Sequence, residues 1–270
     1  MTWRDELAAA VGARVVAAEP VSGGDINDAF RARLADDRVV FVKTRVTPPP
    51  GMFVAEAAGL EWLRAGPLRV PRVIAVTEHL LALEWLDLER VVDNAAFGRG
   101  LAVLHRLGAP SFGLARETYL ATIPQDNTPE PDVVTHWIER RLRPLCARAR
   151  LDVDRQLDAL ARQPERFGPP EPPSRLHGDL WWGNVASSGG VPVVFDPAVY
   201  GGHREVDLAM LSLFGGLPQG FVVAYEEVWP LAAGWHARIP LWQLYPLAAH
   251  AVLFGGGYKV RVERLLHALA

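Results

Sequence analysis

Short apolar runs broken by turn-forming residues fill the first third of the chain, and longer helical periodicities fill most of the rest. Val15 to Ala18, Ala29 to Leu34 and Val39 to Lys43 read as three strands. Asp36-Asp37 marks a turn between the last two and suggests an antiparallel meander. Pro48-Pro49-Pro50-Gly51 can be neither helix nor central strand. After it, Phe53 to Arg64 carries apolar residues at helical spacing and stops at Gly66-Pro67. Arg72 to Val76 and Leu80 to Leu83 add two β-like runs, the second leading directly into Glu84-Trp85-Leu86-Asp87-Leu88. From there the texture changes. Phe97 to Leu107, Val133 to Arg150 and most of Leu208 to Ala270 are helical by pattern, interrupted near 177–196 by loop, short strand and loop. The pattern predicts an α+β chain in two lobes: a small β-rich lobe over 1–86 and a larger, mainly helical lobe over 87–270. The extended piece from Trp85 to Asp87 is then a hinge. Proline- and glycine-rich breaks at Pro124 to Pro131 and Gly168 to Pro173 read as long surface connections or parts of a substrate-facing loop.

Half of the 270 residues are hydrophobic, enough for a substantial core. A formal charge of -3 gives no general attraction to nucleic acid or to an anionic membrane, so neither is an expected partner and any phosphate binding must be local. Charges in Met1 to Glu6 stand where a signal peptide needs an apolar stretch, and no later run is apolar enough to span a bilayer. A cytoplasmic protein is expected. The single cysteine, Cys146, excludes an internal disulfide and a cysteine-cluster metal site, and reads as a small buried residue within a helix.

Chemistry concentrates in Leu176-His177-Gly178-Asp179-Leu180-Trp181-Trp182-Gly183-Asn184. Gly178 and Gly183 bracket the run and Pro172-Pro173 precede it, so Asp179 and Asn184 lie on a loop. Further on, the β-like run from Val191 to Phe195 ends in Asp196-Pro197. Two carboxylates and an amide gathered this way can bind a hard cation through oxygen ligands. Phosphoryl transfer from a nucleotide needs such a set: one carboxylate to orient an acceptor hydroxyl and take its proton, and an Asn and a second Asp to hold magnesium against the phosphates. Asp179, Asn184 and Asp196 supply these in order. A cation for the phosphates is available at Lys43, closing an apolar strand, with Glu56 on the following helix as its partner. Between the first two strands, Val21-Ser22-Gly23-Gly24-Asp25-Ile26-Asn27 could bring backbone amides to a triphosphate, although it is not Gly-x-Gly-x-x-Gly and would also serve as a plain turn.

With these residues in this order, the chain resembles the aminoglycoside phosphotransferase-like branch of the protein-kinase-like superfamily, and within it the fructosamine kinase (ketosamine-3-kinase) family. The marks are Ser22 to Asn27, His177 to Asn184, Phe195-Asp196-Pro197-Ala198, Tyr200 to Met210, Pro124-Gln125-Asp126-Asn127, and His250 with Phe254-Gly255-Gly256-Gly257-Tyr258. The resemblance implies the two-lobed kinase-like fold and an ATP-dependent kinase, with Mg2+, acting on the 3-hydroxyl of a fructosamine or ribulosamine in deglycation repair. It implies that Asp179 is the catalytic base and that Asn184 and Asp196 bind magnesium. Lys43, paired with Glu56, and the Ser22-Gly23-Gly24 loop would hold the ATP phosphates, and Glu84, Trp85 and Leu86 would meet the adenine through the backbone. Trp181 and His250 would approach the sugar, with His177 and Asp207 supporting the catalytic loop. The acceptor implied by the resemblance is a free or protein-bound ketosamine. The alternative is another small acceptor, such as an aminoglycoside, choline or homoserine; aminoglycosides need many acidic groups, and Glu226-Glu227 is the main cluster in the last third. His-Gly-Asp replaces the His-Arg-Asp of protein kinases, Asp196-Pro197 replaces Asp-Phe-Gly, and no Ala-Pro-Glu segment follows. Many relatives carry a cysteine where Asp25 stands, so no disulfide-linked dimer is expected.

Overall fold

A computed structural model describes residues 2–21 and 27–270. Helix α1 (Trp3–Val11) opens the chain, followed by β1 (Val15–Pro20), β2 (Asp28–Leu34), β3 (Val39–Thr44), α2 (Met52–Leu63), β4 (Val73–Val76) and β5 (Leu80–Glu84). The five strands form one antiparallel sheet in the order β1-β2-β3-β5-β4. The first three strands pair as the meander expected from the sequence. β5 then inserts beside β3 and leaves β4 at the edge, which a linear pattern does not specify.

Alternation along β3 decides where chemistry can sit. Val40 and Val42 point to one face, where they bury against Leu7 of α1 with Ala32, Leu34 and Ala82. Phe41 and Lys43 point to the other, toward α2. Helix α1 was not anticipated. It buries only Leu7, so its apolar stripe is thin, but it is well capped: the Thr2 hydroxyl accepts the Asp5 N–H, the Asp5 carboxylate returns to the Thr2 backbone, and Gly12 ends it at φ 71°.

The second lobe comprises α3 (Asn94–Arg106), the hairpin β6 (Thr118–Leu120) and β7 (Ile123–Gln125), then α4 (Val133–Thr135), a π-helical stretch (His136–Leu142) and α5 (Arg143–Arg148). After these come α6 (Asp154–Ala161), β8 (Ser174–Leu176), β9 (Val185–Ser188), β10 (Val191–Val194), β11 (Tyr200–Gly202), and helices α7 (Glu205–Leu213), α8 (Phe221–Val228), α9 (Trp235–Phe254) and α10 (Gly257–Leu269). β9 pairs with β10, and β11 returns to pair with β8. The Pro124 to Pro131 stretch is not simply a surface connection: Gln125 and Asn127 are buried.

One apolar cluster crosses between the lobes, joining Met52, Phe53, Leu81 and Leu83 to Phe97, Leu180, Val199 and Leu208. The β9-β10 hairpin braces the same junction. Arg69 exchanges backbone hydrogen bonds with Pro192 and Val194, and Glu89 with Ser187. No helix among the described residues is long and apolar enough to cross a membrane. Cys146 is buried and unpaired.

Candidate active site

The strand pairs β8-β11 and β9-β10 bring three loop residues together. The Asn184 side-chain amide donates to the Asp179 backbone oxygen at 2.9 Å, to Asp179 Oδ2 at 3.3 Å and to the Asp196 backbone oxygen at 3.4 Å. This leaves Asn184 Oδ1 without a donor among the described residues. From the other lobe, Lys43 Nζ reaches Glu56 Oε1 at 2.7 Å and Asp196 Oδ1 at 2.8 Å. The pairing with Glu56 was expected; the direct bond to Asp196 was not.

Electrostatics follow from burial and crowding. Burial opposes the Lys43 charge, but Asp196 and Glu56 outweigh it and hold the ammonium above its ordinary pKa. Burial, with Asp196 adding to it, pushes Glu56 up against the pull of Lys43. The Asp179 carboxyl is pushed up to about 7 by desolvation and then by Asp196, with the Asn184 hydrogen bond opposing. Three carboxyl groups thus crowd one ammonium, which among the described residues bonds only Glu56 and Asp196. That imbalance, together with the open oxygen on Asn184, fits a divalent cation between Asn184 and Asp196.

The loop geometry depends on Gly178. Its φ is +82°, and a Cβ there would lie 2.1 Å from the Ala198 carbonyl oxygen, so no larger residue fits between His177 and Asp179. Asp196 itself adopts φ +55°, a left-handed conformation uncommon outside glycine and found at constrained functional positions. The two backbone N–H groups of His177 and Gly178 donate to the fully buried Asp207 carboxylate at 2.8 and 3.0 Å. Behind Asp207, His105 Nε2 lies at 3.2 Å and His105 Nδ1 lies 2.8 Å from the Tyr225 hydroxyl, two supports that sequence reasoning missed. His177 Nε2 donates to the Phe195 carbonyl while Nδ1 accepts the Asp179 N–H. Burial lowers the His177 pKa, as suits a neutral structural imidazole.

These residues line a cavity of about 1330 Å³ between the lobes. At one end are Lys43, Glu56, Glu84, Trp85 and Leu86; the Glu84 carboxylate is held by the backbone and side chain of Arg72. At the other, Trp181 is 40% exposed and meets Phe214 at 6.2 Å between centroids. His250 sits among Phe214, Phe254 and Tyr258 at 5.6, 5.6 and 4.9 Å. Phe214 carries no sequence signal that separates it from a core residue of α7. Trp182 also borders the cavity but packs edge-on to Phe97, with Nε1 donating to the Gly216 carbonyl. The Ser22-Gly23-Gly24 assignment lies outside the described residues.

Residues 2–270 match the model of a family described as fructosamine kinase. A protein of Enterococcus faecium named "Probable ketoamine kinase" is 38% identical over 260 residues, covering 92% of this chain and 93% of the relative. A crystal structure from Thermobifida fusca, assigned as a fructosamine-3-kinase, superposes with a TM-score of 0.89 at 39% identity, covering 99% of this chain and 98% of that one. An amicoumacin kinase solved with AMP-PNP and Ca2+ shares the fold alone, at a TM-score of 0.62 and 12% identity, over 98% of this chain and 91% of that one.

Proposed function

This chain belongs to the fructosamine kinase family, and on that premise we propose that it transfers the γ-phosphoryl group of ATP to the 3-hydroxyl of a ketosamine, in the manner of deglycation repair. The observation that carries this reading is the Lys43 ammonium bridging Glu56 and Asp196, with Asn184 and Asp179 joined beside it. Lys43, Glu84, Trp85 and Leu86 line the half of the cavity that we assign to the nucleotide, the last three by their backbone, and we place the lobe boundary after Leu86. Asp179 orients the acceptor hydroxyl and accepts its proton as the oxygen attacks. Its raised pKa suits a group that must take up a proton near neutral pH. Asn184 and Asp196 would hold magnesium, which when bound supplies charge neutralisation at the phosphates. His177 and Asp207 keep the loop in register by the hydrogen bonds described above.

Trp181 and His250 wall the acceptor end with Phe214, Phe254 and Tyr258. Rings suit the apolar face of a sugar and the cationic amine next to it. A polycationic aminoglycoside would instead need carboxylates, and these five residues provide none.

ATP consumption against ketosamines, aminoglycosides and amino alcohols, with and without magnesium, tests the reading. Magnesium-dependent turnover of a ketosamine is expected, with the phosphate located on the 3-oxygen by NMR. Turnover confined to an aminoglycoside or a choline-like alcohol would reject it.

A further inference from the structure

We infer that Gln125, a buried residue that needs no contact with nucleotide or acceptor, is a positioning residue for phosphoryl transfer, acting through the carbonyl of Ala198. The inference rests on the roles given to Asp179 and Asp196 above.

Gln125 closes the β6-β7 hairpin opposite Thr118 and is 7% exposed. Its amide is fixed at both ends. Oε1 accepts from the Tyr245 hydroxyl on α9, while Nε2 donates to Thr118 Oγ1 at 2.9 Å and to the Ala198 carbonyl at 3.0 Å. With Oε1 committed to Tyr245, only the N–H side of the amide faces Ala198.

Ala198 stands at the tightest point of the site. Its N–H donates to the His177 carbonyl at 2.9 Å, and its carbonyl oxygen occupies the space that a Cβ on Gly178 would need. One peptide unit therefore separates Gln125 from the residue preceding Asp179, and Ala198 follows Asp196 by two positions in the chain. A shift of this carbonyl changes the spacing between the two carboxylates.

The glutamine is itself anchored. Thr118 Oγ1 also accepts from Asn127 at 2.6 Å, and Asn127 Oδ1 accepts from the fully buried Arg141 of the π-helical stretch at 2.6 Å. The Arg141 guanidinium stacks 4.1 Å from the centre of the Tyr200 ring, two residues beyond Ala198. The hairpin's other side reaches the first lobe, where the Tyr119 hydroxyl donates to the Pro50 carbonyl at 2.8 Å just before α2, the helix that carries Glu56. A buried polar chain is costly unless each member is satisfied, and an apolar residue would fill the position more simply. What the polar chain adds is a fixed direction for one carbonyl.

Gln125→Met keeps the length and apolar volume of the side chain and removes the donor. We expect kcat to fall about 10-fold or more, since small misplacements at a reacting centre are expensive. KM for ATP and for ketosamine should stay within about 3-fold, as neither ligand is touched. Hydrogen exchange by mass spectrometry should rise in peptides spanning 193–200. Tyr245→Phe should produce a smaller change in the same direction. Leu157→Ala, a core change in α6 outside the hydrogen-bonded chain, serves as the stability control: it should lower Tm without the selective loss of kcat or the rise in exchange. Gln125→Met turning over within about twofold of the parent would overturn the inference, as would a control that reproduces its kcat loss. A parent protein that phosphorylates no ketosamine would reject the substrate reading alone. The exchange comparison would then decide, and unchanged exchange at 193–200 in Gln125→Met would reject the positioning role.

Discussion

At one end of the cavity, Lys43, Glu56 and Asp196 hold one another at 2.7 and 2.8 Å, drawing groups from a strand, a helix and a loop of different lobes into one charged set. At the other, Trp181, Phe214, His250 and Phe254 meet only as tilted or edge-on rings 5.6 to 6.2 Å apart, and Phe254 is 61% exposed. The charged end is organised before any ligand arrives, because its partners desolvate and orient each other. The ring-lined end is organised by shape, and rings can reorient around acceptors that differ by a carbon or two. One chemistry can thus be paired with a changing acceptor.

The sharpest way to break that contrast is at Asp179. Asp179→Asn should lower turnover by about 10² to 10⁴-fold, the worth of a positioned base, while ATP affinity by calorimetry changes little. Turnover near that of the parent would remove Asp179 from the role. Next, Asp196→Ala should erase the difference in nucleotide affinity measured with and without magnesium; a persistent difference would move the metal site elsewhere. Lys43→Met leaves Glu56 and Asp196 facing each other without their cation and should cost about 1–3 kcal/mol in chemical denaturation, less than a fully buried pair because Asp196 is partly solvated. Trp181→Leu should raise the acceptor KM about 10-fold and leave the ATP KM unchanged. Equal effects on both would mean that the two ends are not separable.

The smallest effect concerns pH. The folded Asp179 carboxyl titrates near 7, against an ordinary value of 3.8. Between these values the folded chain holds a proton that the unfolded chain has lost. The stability contributed by that proton is complete below about pH 4, is lost as pH rises through 7, and changes no further above it. Asp179→Asn does not titrate. Its unfolding free energy by chemical denaturation should match the parent near pH 4 and exceed it above pH 7, by about 1–2 kcal/mol after allowing for solvent at this half-buried group. A gap that opens toward acid would reverse the sign and discard the assignment.

The charged end was legible in the sequence because its constraints are local. Gly178 is needed by a left-handed turn against Ala198, Asp196 follows a β-run, and Lys43 lies near the end of a strand whose alternation fixes its direction. Glu56 follows from helical spacing. The bond from Lys43 to Asp196 joins residues 153 apart in the chain, and nothing local announces it. The strands of the β6-β7 hairpin are three residues long, too short for an alternation signal, and Gln125 and Asn127 have the composition of a surface turn. Their burial is set by Arg141 and Tyr245, which pack onto them from distant helices. Phe214 was illegible for the opposite reason: an exposed aromatic just past the end of the buried helix α7 looks in sequence like one more core residue.

The apolar cluster that runs from Met52 and Phe53 through Leu81 to Phe97 and Leu208 bears on how the chain comes apart. Lobes in topology need not be units in stability. The face of the sheet under α1 and the helical core around Trp137 and Trp242 each belong to one lobe, but with this third cluster shared across the hinge, and Arg69 and Glu89 hydrogen-bonded into the β9-β10 hairpin on its far side, each lobe loses part of its interior when the other is lost. A single cooperative melting transition is the expected result, and excising the sheet at the hinge would yield a fragment that keeps its α1-covered face but bares Met52, Phe53, Leu81 and Leu83 on the other.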